Sequence, residues 1–182
     1  MRLILGITLA AALLCCSISG FAQQPAAPPA RPEANKKDVE SIDAIVHALY
    51  DVISGPAGAK RDWNRMRSLF YVGAKMMPIV KKKEGGFAIL QWDVEDYITR
   101  SGPQLEANGF YEREISRKQE RYGNLVHVFT TYESKRKADD AQPFARGINS
   151  LQLMNDGTRW WIISISWESE RPDNPLPKEY LK

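Results

Sequence analysis

Cysteine is almost absent from this chain. There are two, Cys15 and Cys16, and both lie in its first apolar run. Everything after that run lacks a thiol, a disulfide and a cysteine metal ligand, and must be held together by its core. Histidine is as scarce, with His47 and His127 the two present. Two histidines so far apart, without cysteine, give no expected zinc or iron site, and no cofactor is expected. A strong charge excess is missing too. The 25 basic residues face 22 acidic ones, so neither nucleic acid nor an anionic membrane is an expected partner. The basic triplet Lys81-Lys82-Lys83 has no interleaved aromatics and reads as a solvated turn. There is no Gly-rich phosphate loop, no Gly-x-Ser-x-Gly elbow and no metalloprotease helix motif.

What is present begins with a leader. Arg2 supplies a positive start, Leu3 to Cys16 an apolar stretch, and Gly20 and Ala22 small residues at the −3 and −1 positions of a cleavage site. That layout predicts a secretory signal over 1–22, cut after Ala22, and a periplasmic or secreted product. The apolar run is shorter than the ~20 residues of a spanning helix, so no stable membrane span is expected after cleavage. Residues 23–37 carry Pro25, Pro28, Pro29 and Pro32 among alanines and polar groups, and read as a disordered linker.

From 38 to 170 the pattern is that of one domain, followed by a Pro-rich tail over 171–182. Asp38 is positioned to cap a helix whose apolar residues run from Val39 to Ile53, ended by Gly55-Pro56. Asp62 caps a second, shorter helix through Phe70. Two short strands, 74–80 and 87–91, form a hairpin. Asp93 with Asp96 makes an acidic capping box for a third helix, which Gly102-Pro103 is expected to stop. Beyond residue 110 the period becomes two. Strands are expected over 110–122, 125–136, 148–155 and 159–168, with hairpin turns at Gly123-Asn124 and Asp156-Gly157. Helices early and strands late indicate an α+β domain with its helices on one face of a sheet.

Counting outward from two-residue turns gives an expected register. At Asp156-Gly157 it sets Leu153 against Trp160, Leu151 against Ile162, Asn149 against Ser164 and Arg146 against Trp167. At Gly123-Asn124 it sets Glu120 against His127 and Glu114 against Glu133. Two carboxylates face to face are unfavourable, so either a bulge shifts the register or the two form a coupled acid pair.

The order of these elements resembles the nuclear transport factor 2-like superfamily, and within it the SnoaL-like secreted bacterial proteins. The resemblance rests on DWNRMRSLF (62–70), WDVEDYITRSGP (92–103), GNLVHVFTTYES (123–134), RGINSLQLMNDG (146–157) and WWIISISWESE (160–170). It implies a cone-shaped, curved antiparallel sheet of about six strands closed by three N-terminal helices, and a homodimer formed through the sheet. Members include isomerases, dehydratases and cyclases as well as proteins that only bind; no single enzyme's catalytic set is matched here.

In such a cone the pocket residues are Trp63, Tyr97, His127, Phe129, Asn149, Leu151, Trp160, Ile162 and Ser164, with Asn149 and Ser164 as polar handles for a small apolar molecule. The candidates for acid–base chemistry are His127, Glu114 and Glu133. A plainer reading turns His127 outward beside Glu120. Three functions follow: a ligand pocket without identified reaction, a proton-transfer enzyme, or an assembly module with a filled core.

Overall fold

Ser41, not Asp38, starts the main N-terminal helix. The computed structural model describes residues 31–182, and the expected leader and most of the expected linker lie outside them. Helix α1 (Lys36–Val39) is capped by Asn35, and α2 (Ile42–Ile53) by the Ser41 side chain, which accepts from the Ala44 amide. Asp38 is instead buried and ion-paired with Arg65 of α3 (Trp63–Leu69) at 2.7 Å. The same guanidinium reaches Asp51 of α2, so one arginine ties three helices together. The end of the expected linker is docked, because Arg31 donates to the carbonyls of Arg67 and Phe70.

Six strands follow: β1 (Phe70–Lys81), β2 (Phe87–Ile89), β3 (Tyr111–Tyr122), β4 (Leu125–Lys135), β5 (Ala145–Asn155) and β6 (Trp160–Ser169). Helix α4 (Val94–Asn108) lies between β2 and β3, and carries the Asp93/Asp96 capping box. It runs through Gly102-Pro103 instead of stopping there. Its last turns are held by Glu106, which accepts from Lys60 Nζ, the Arg61 amide and Trp63 Nε1. Those contacts outweigh the missing proline N–H. Gly109, at φ 69°, turns the chain into β3 where a Cβ would meet the Arg136 carbonyl.

The sheet order is β2-β1-β6-β5-β4-β3. It is mixed and not wholly antiparallel: β1 runs parallel to β6, while the other neighbours are antiparallel. The helices pack on one face. That inner face carries Val126, Val128, Leu151, Leu153 and Ile162, all essentially inaccessible, against Ile45, Met66 and Leu69. Burial of this size is the main stabilising force of the domain.

Two bulges decide what else faces inward. In β6 the register slips at Ile163, so Leu153 opposes Ile162 and Asn149 opposes Trp167, not Ser164. The loop there is four residues, because the Asp156 carboxylate accepts from the Thr158 and Arg159 amides and holds residues 156–159 as one turn. In β3 the register slips at Ile115: Glu114 opposes Tyr132, and Ser116 opposes Thr131. A one-residue slip sends later side chains to the other face. Glu112 and Glu114 therefore point inward, while Ser116, Lys118 and Glu120 point outward. Glu133 pairs with Arg113 at 2.8 Å and does not face Glu114. Arg146 pairs with Glu170 at 2.9 Å and does not oppose Trp167.

A buried arginine closes the helical end. Arg61 is 7% exposed and, among the described residues, its guanidinium has no carboxylate partner; Nε donates to Ile53 O, Nη1 to Ala59 O, and Nη2 to Gly55 O and Leu105 O, all within 3.1 Å. Ile53 and Leu105 lie in the last turns of α2 and α4, where free carbonyls and the helix dipole favour a cation.

The tail crosses the outer face. Thr131 Oγ1 donates to Tyr180 O at 2.6 Å, and the Tyr180 ring lies edge-on to Phe129 at 5.2 Å.

Candidate functional site

A cavity of about 260 Å³ lies between α2, α4 and the inner face of the sheet. Leu49 and Ile53 of α2, Leu105 of α4, Met76 of β1, and Ile165 and Trp167 of β6 form its apolar wall. Phe144, about half exposed, and Phe110 stand together at its rim, with ring centroids 6.1 Å apart. The Arg136 guanidinium covers the Phe144 ring at 4.0 Å, a cation–π contact that steadies the loop before β5.

The polar groups in this cavity are few and converge. Glu112, Tyr132, Ser134 and Asn149 come from the sheet, Tyr50 and Tyr97 from the helices. Ser134 Oγ donates to Glu112 Oε2 at 2.7 Å. Asn149 Nδ2 donates to the Tyr50 hydroxyl at 3.1 Å, and that hydroxyl lies 3.0 Å from Thr130 Oγ1. Among the described residues, every buried side-chain nitrogen and oxygen has a partner.

Burial governs the proton affinities here. Removal from water pushes the Glu112 carboxyl up to about 7, while hydrogen bonds from Ser134 and Asn149 pull the other way without cancelling it. The residue keeps some accessible surface because the cavity reaches it, yet protein surrounds its carboxyl. Burial, then the nearby Glu112 charge, raises the Tyr97 phenol. The Tyr132 phenol is pushed up to about 12, mainly by burial. The cone thus holds one carboxyl that gains and loses its proton near neutral pH, beside phenols that stay protonated.

A second, more polar hollow of about 550 Å³ runs between α2 and β3. Asp43, His47 and Arg117 line it, and Tyr50 and Glu112 belong to both hollows. Arg117 holds Asp43 at 2.6 Å and Glu114 at 2.9 Å.

Of the residues expected in the pocket, Tyr97 and Asn149 line it. Leu151, Trp160 and Ile162 are buried in the packed core, and Trp63 lies against Gly102 with its indole N–H on Glu106. His127, Phe129 and Ser164 are on the outer face. In β4 the face that meets the helices carries Val126, Val128 and Tyr132, which leaves His127 and Phe129 outside. Glu120 does oppose His127, as counted, but the imidazole Nε2 bonds to Ser150 Oγ at 3.0 Å. Replacing His127 with alanine removes a contact of the outer face alone and is expected to shift Tm by less than about 4 °C, checked by thermal melting. Glu112 is the residue that sequence reasoning missed.

No protein-family model matches the chain, and no curated protein matches it. Solved structures do. A protein of unknown function with a cystatin-like fold from Nostoc punctiforme is 13% identical, covers 75% of this chain and 92% of its own, with a TM-score of 0.53. An NTF2-like protein of unknown function from Silicibacter pomeroyi is 15% identical, with coverage of 72% and 94% and a TM-score of 0.48. A nuclear transport factor 2-like superfamily protein from Salmonella enterica is 13% identical, with coverage of 76% and 88% and a TM-score of 0.47. At these identities the likeness is one of fold. It is the cystatin-like α+β fold that the nuclear transport factor 2-like resemblance implies, with a curved sheet wrapped on helices.

Proposed function

We propose that the cone binds a small, mainly apolar molecule carrying one polar group, seated with that group against Glu112. The observation that carries this reading is a carboxyl, with Ser134 and Asn149 beside it, facing an otherwise apolar cavity of about 260 Å³. Such a cavity is close to the smallest of ligand sites, and a few convergent polar groups are their usual composition. A cavity of this size counts against a purely structural module, whose core would be packed without one.

A second reading is proton-transfer chemistry of the isomerase, dehydratase or cyclase type. Glu112 replaces His127 and the Glu114/Glu133 pair as its acid–base group. A carboxyl that titrates near pH 7 in an apolar site is matched to that task. In the same reading the protein is exported, and two copies meet through the outer face of the sheet. There Leu125, Met154, Trp161 and Tyr71 form an apolar row across four strands.

Native mass spectrometry of the protein recovered from its own envelope fraction tests this directly. The expected result is a small adduct at one per chain, and a subunit count of two. Ser101 lines the cavity from α4, so Ser101→Phe fills it. That variant should lose the adduct while keeping its circular dichroism. An adduct that survives the filled cavity overturns the assignment.

A further inference from the structure

We infer that the molecule held in the cone is a small organic cation, an alkylammonium whose charge pairs with Glu112 among aromatic rings. Carboxylates taken out of water are normally matched by a cation. The acids around Glu112 follow that rule. Glu114 and Asp43 share Arg117, Glu133 holds Arg113, and Asp38 and Asp51 share Arg65. Glu112 is the exception and makes no ion pair among the described residues. A neutral group, the Ser134 hydroxyl, donates to one of its oxygens at 2.7 Å. An ionised carboxyl has about four acceptor sites, so capacity for a ligand remains.

Six aromatic residues line the same cavity: Tyr50, Tyr97, Phe110, Tyr132, Phe144 and Trp167. The Tyr50 hydroxyl is engaged by Thr130 and Asn149, and the Tyr132 hydroxyl lies 3.1 Å from Ser169 Oγ. What these two tyrosines offer a ligand is therefore the ring. An aromatic ring attracts a cation through its quadrupole, and more strongly where water is excluded. A neutral molecule gains apolar contact from this wall but leaves the carboxylate without a counter-charge. An anion meets a like charge.

The protein's own basic groups do not fill this role. No lysine, arginine or histidine lines the cavity. Two guanidiniums sit against its wall, Arg61 on the Ile53 and Leu105 carbonyls and Arg136 on the Phe144 ring. The polar hollow that shares Glu112 also holds Arg113, Arg117, Lys135 and His47. Arg113 and Arg117 are the partners of other acids. Lys135 opposes Tyr111 and follows Ser134 in β4, so alternation turns it away from the side on which Ser134 holds Glu112. His47 is on the exposed side of α2.

A cation in the cone presupposes the ligand site proposed above, and the two can fail separately. The test compares choline with 3,3-dimethylbutanol, which has the same shape with carbon in place of the charged nitrogen. Both are titrated into the purified protein at pH 8, where Glu112 is ionised, and followed by amide NMR shifts. Choline is expected to bind at least about tenfold tighter than its neutral twin. In Glu112→Gln that preference should fall below about threefold, the part left to the rings. Ser101→Phe, which fills the cavity, should lose both compounds. Equal affinity for the two overturns the cation and leaves the pocket standing. A preference for choline that survives either variant puts the recognition of charge outside the cone, in the polar hollow or on the surface, and overturns the inference as well. So does choline that fails to bind at about 10 mM. The pocket itself is decided by the adduct in native mass spectrometry, whatever choline does.

Discussion

Glu112→Gln should make the protein more stable at pH 8, raising Tm by roughly 4–8 °C, and leave it unchanged at pH 4. The folded protein holds the Glu112 proton up to about pH 7, while the ordinary value of a glutamate is 4.5. Between those two values the native state binds a proton that the unfolded chain has released, so stability falls as pH rises. Below 4.5 both states are protonated and the loss vanishes; above 7 both are ionised and the loss is complete. The gap corresponds to at most ~3.4 kcal/mol at about 1.4 kcal/mol per unit. The partial exposure that Glu112 keeps reduces this to about 2 kcal/mol. Glutamine keeps an acceptor for Ser134 and carries no charge, so it escapes the alkaline loss. Melting curves at the two pH values check this. An equal shift at both, or a loss at pH 8, would show that Glu112 is not desolvated. The same substitution should remove any pH dependence near neutrality from the binding proposed above.

Arg61→Met should cost about 3–5 kcal/mol, a drop in Tm of more than about 6 °C. Methionine fills much of the volume but satisfies none of the four carbonyls that the guanidinium serves. Those carbonyls belong to the ends of α2 and α4 and to the turn between α2 and α3, so their loss loosens the wall of the cone as well as the core. Lysine should not rescue it, because one compact ammonium cannot span a planar fork of acceptors. A chemical denaturation series of the three proteins measures this, and a cost under about 1 kcal/mol for Arg61→Met would show the carbonyls rehydrate freely.

Local signals in the sequence were good guides to local structure. Asp62 and the Asp93/Asp96 box cap the helices assigned to them, and Gly123-Asn124 makes the tight turn expected. What failed was non-local. Nothing in Phe70–Lys81 says that this strand will lie parallel to β6, eighty residues later, because parallel partners are joined by tertiary contacts and not by a turn. The registers failed for a related reason. Counting from a turn assumes strict alternation, and a single extra residue ends it. The clash of Glu114 with Glu133 was a readable sign of a bulge in β3. Carried one step further, it would have turned Glu112 inward and found the cavity carboxyl. No such sign marked Ile163, whose neighbours on both faces are apolar, so Ser164 was placed inside and Trp167 outside.

The bulge at Ile115 also means that the chemistry of the cone rests on register as much as on composition. Ile115 is the residue left out of the ladder, and its exclusion is what keeps Glu114 opposite Tyr132 and Glu112 opposite Ser134. Were Ile115 taken into the ladder opposite Tyr132, strict alternation would turn Arg113 into the cavity and Glu112 out of it, exchanging an acid for a base with no side chain altered. For this scaffold the placing of one unpaired residue selects which charge the wall presents.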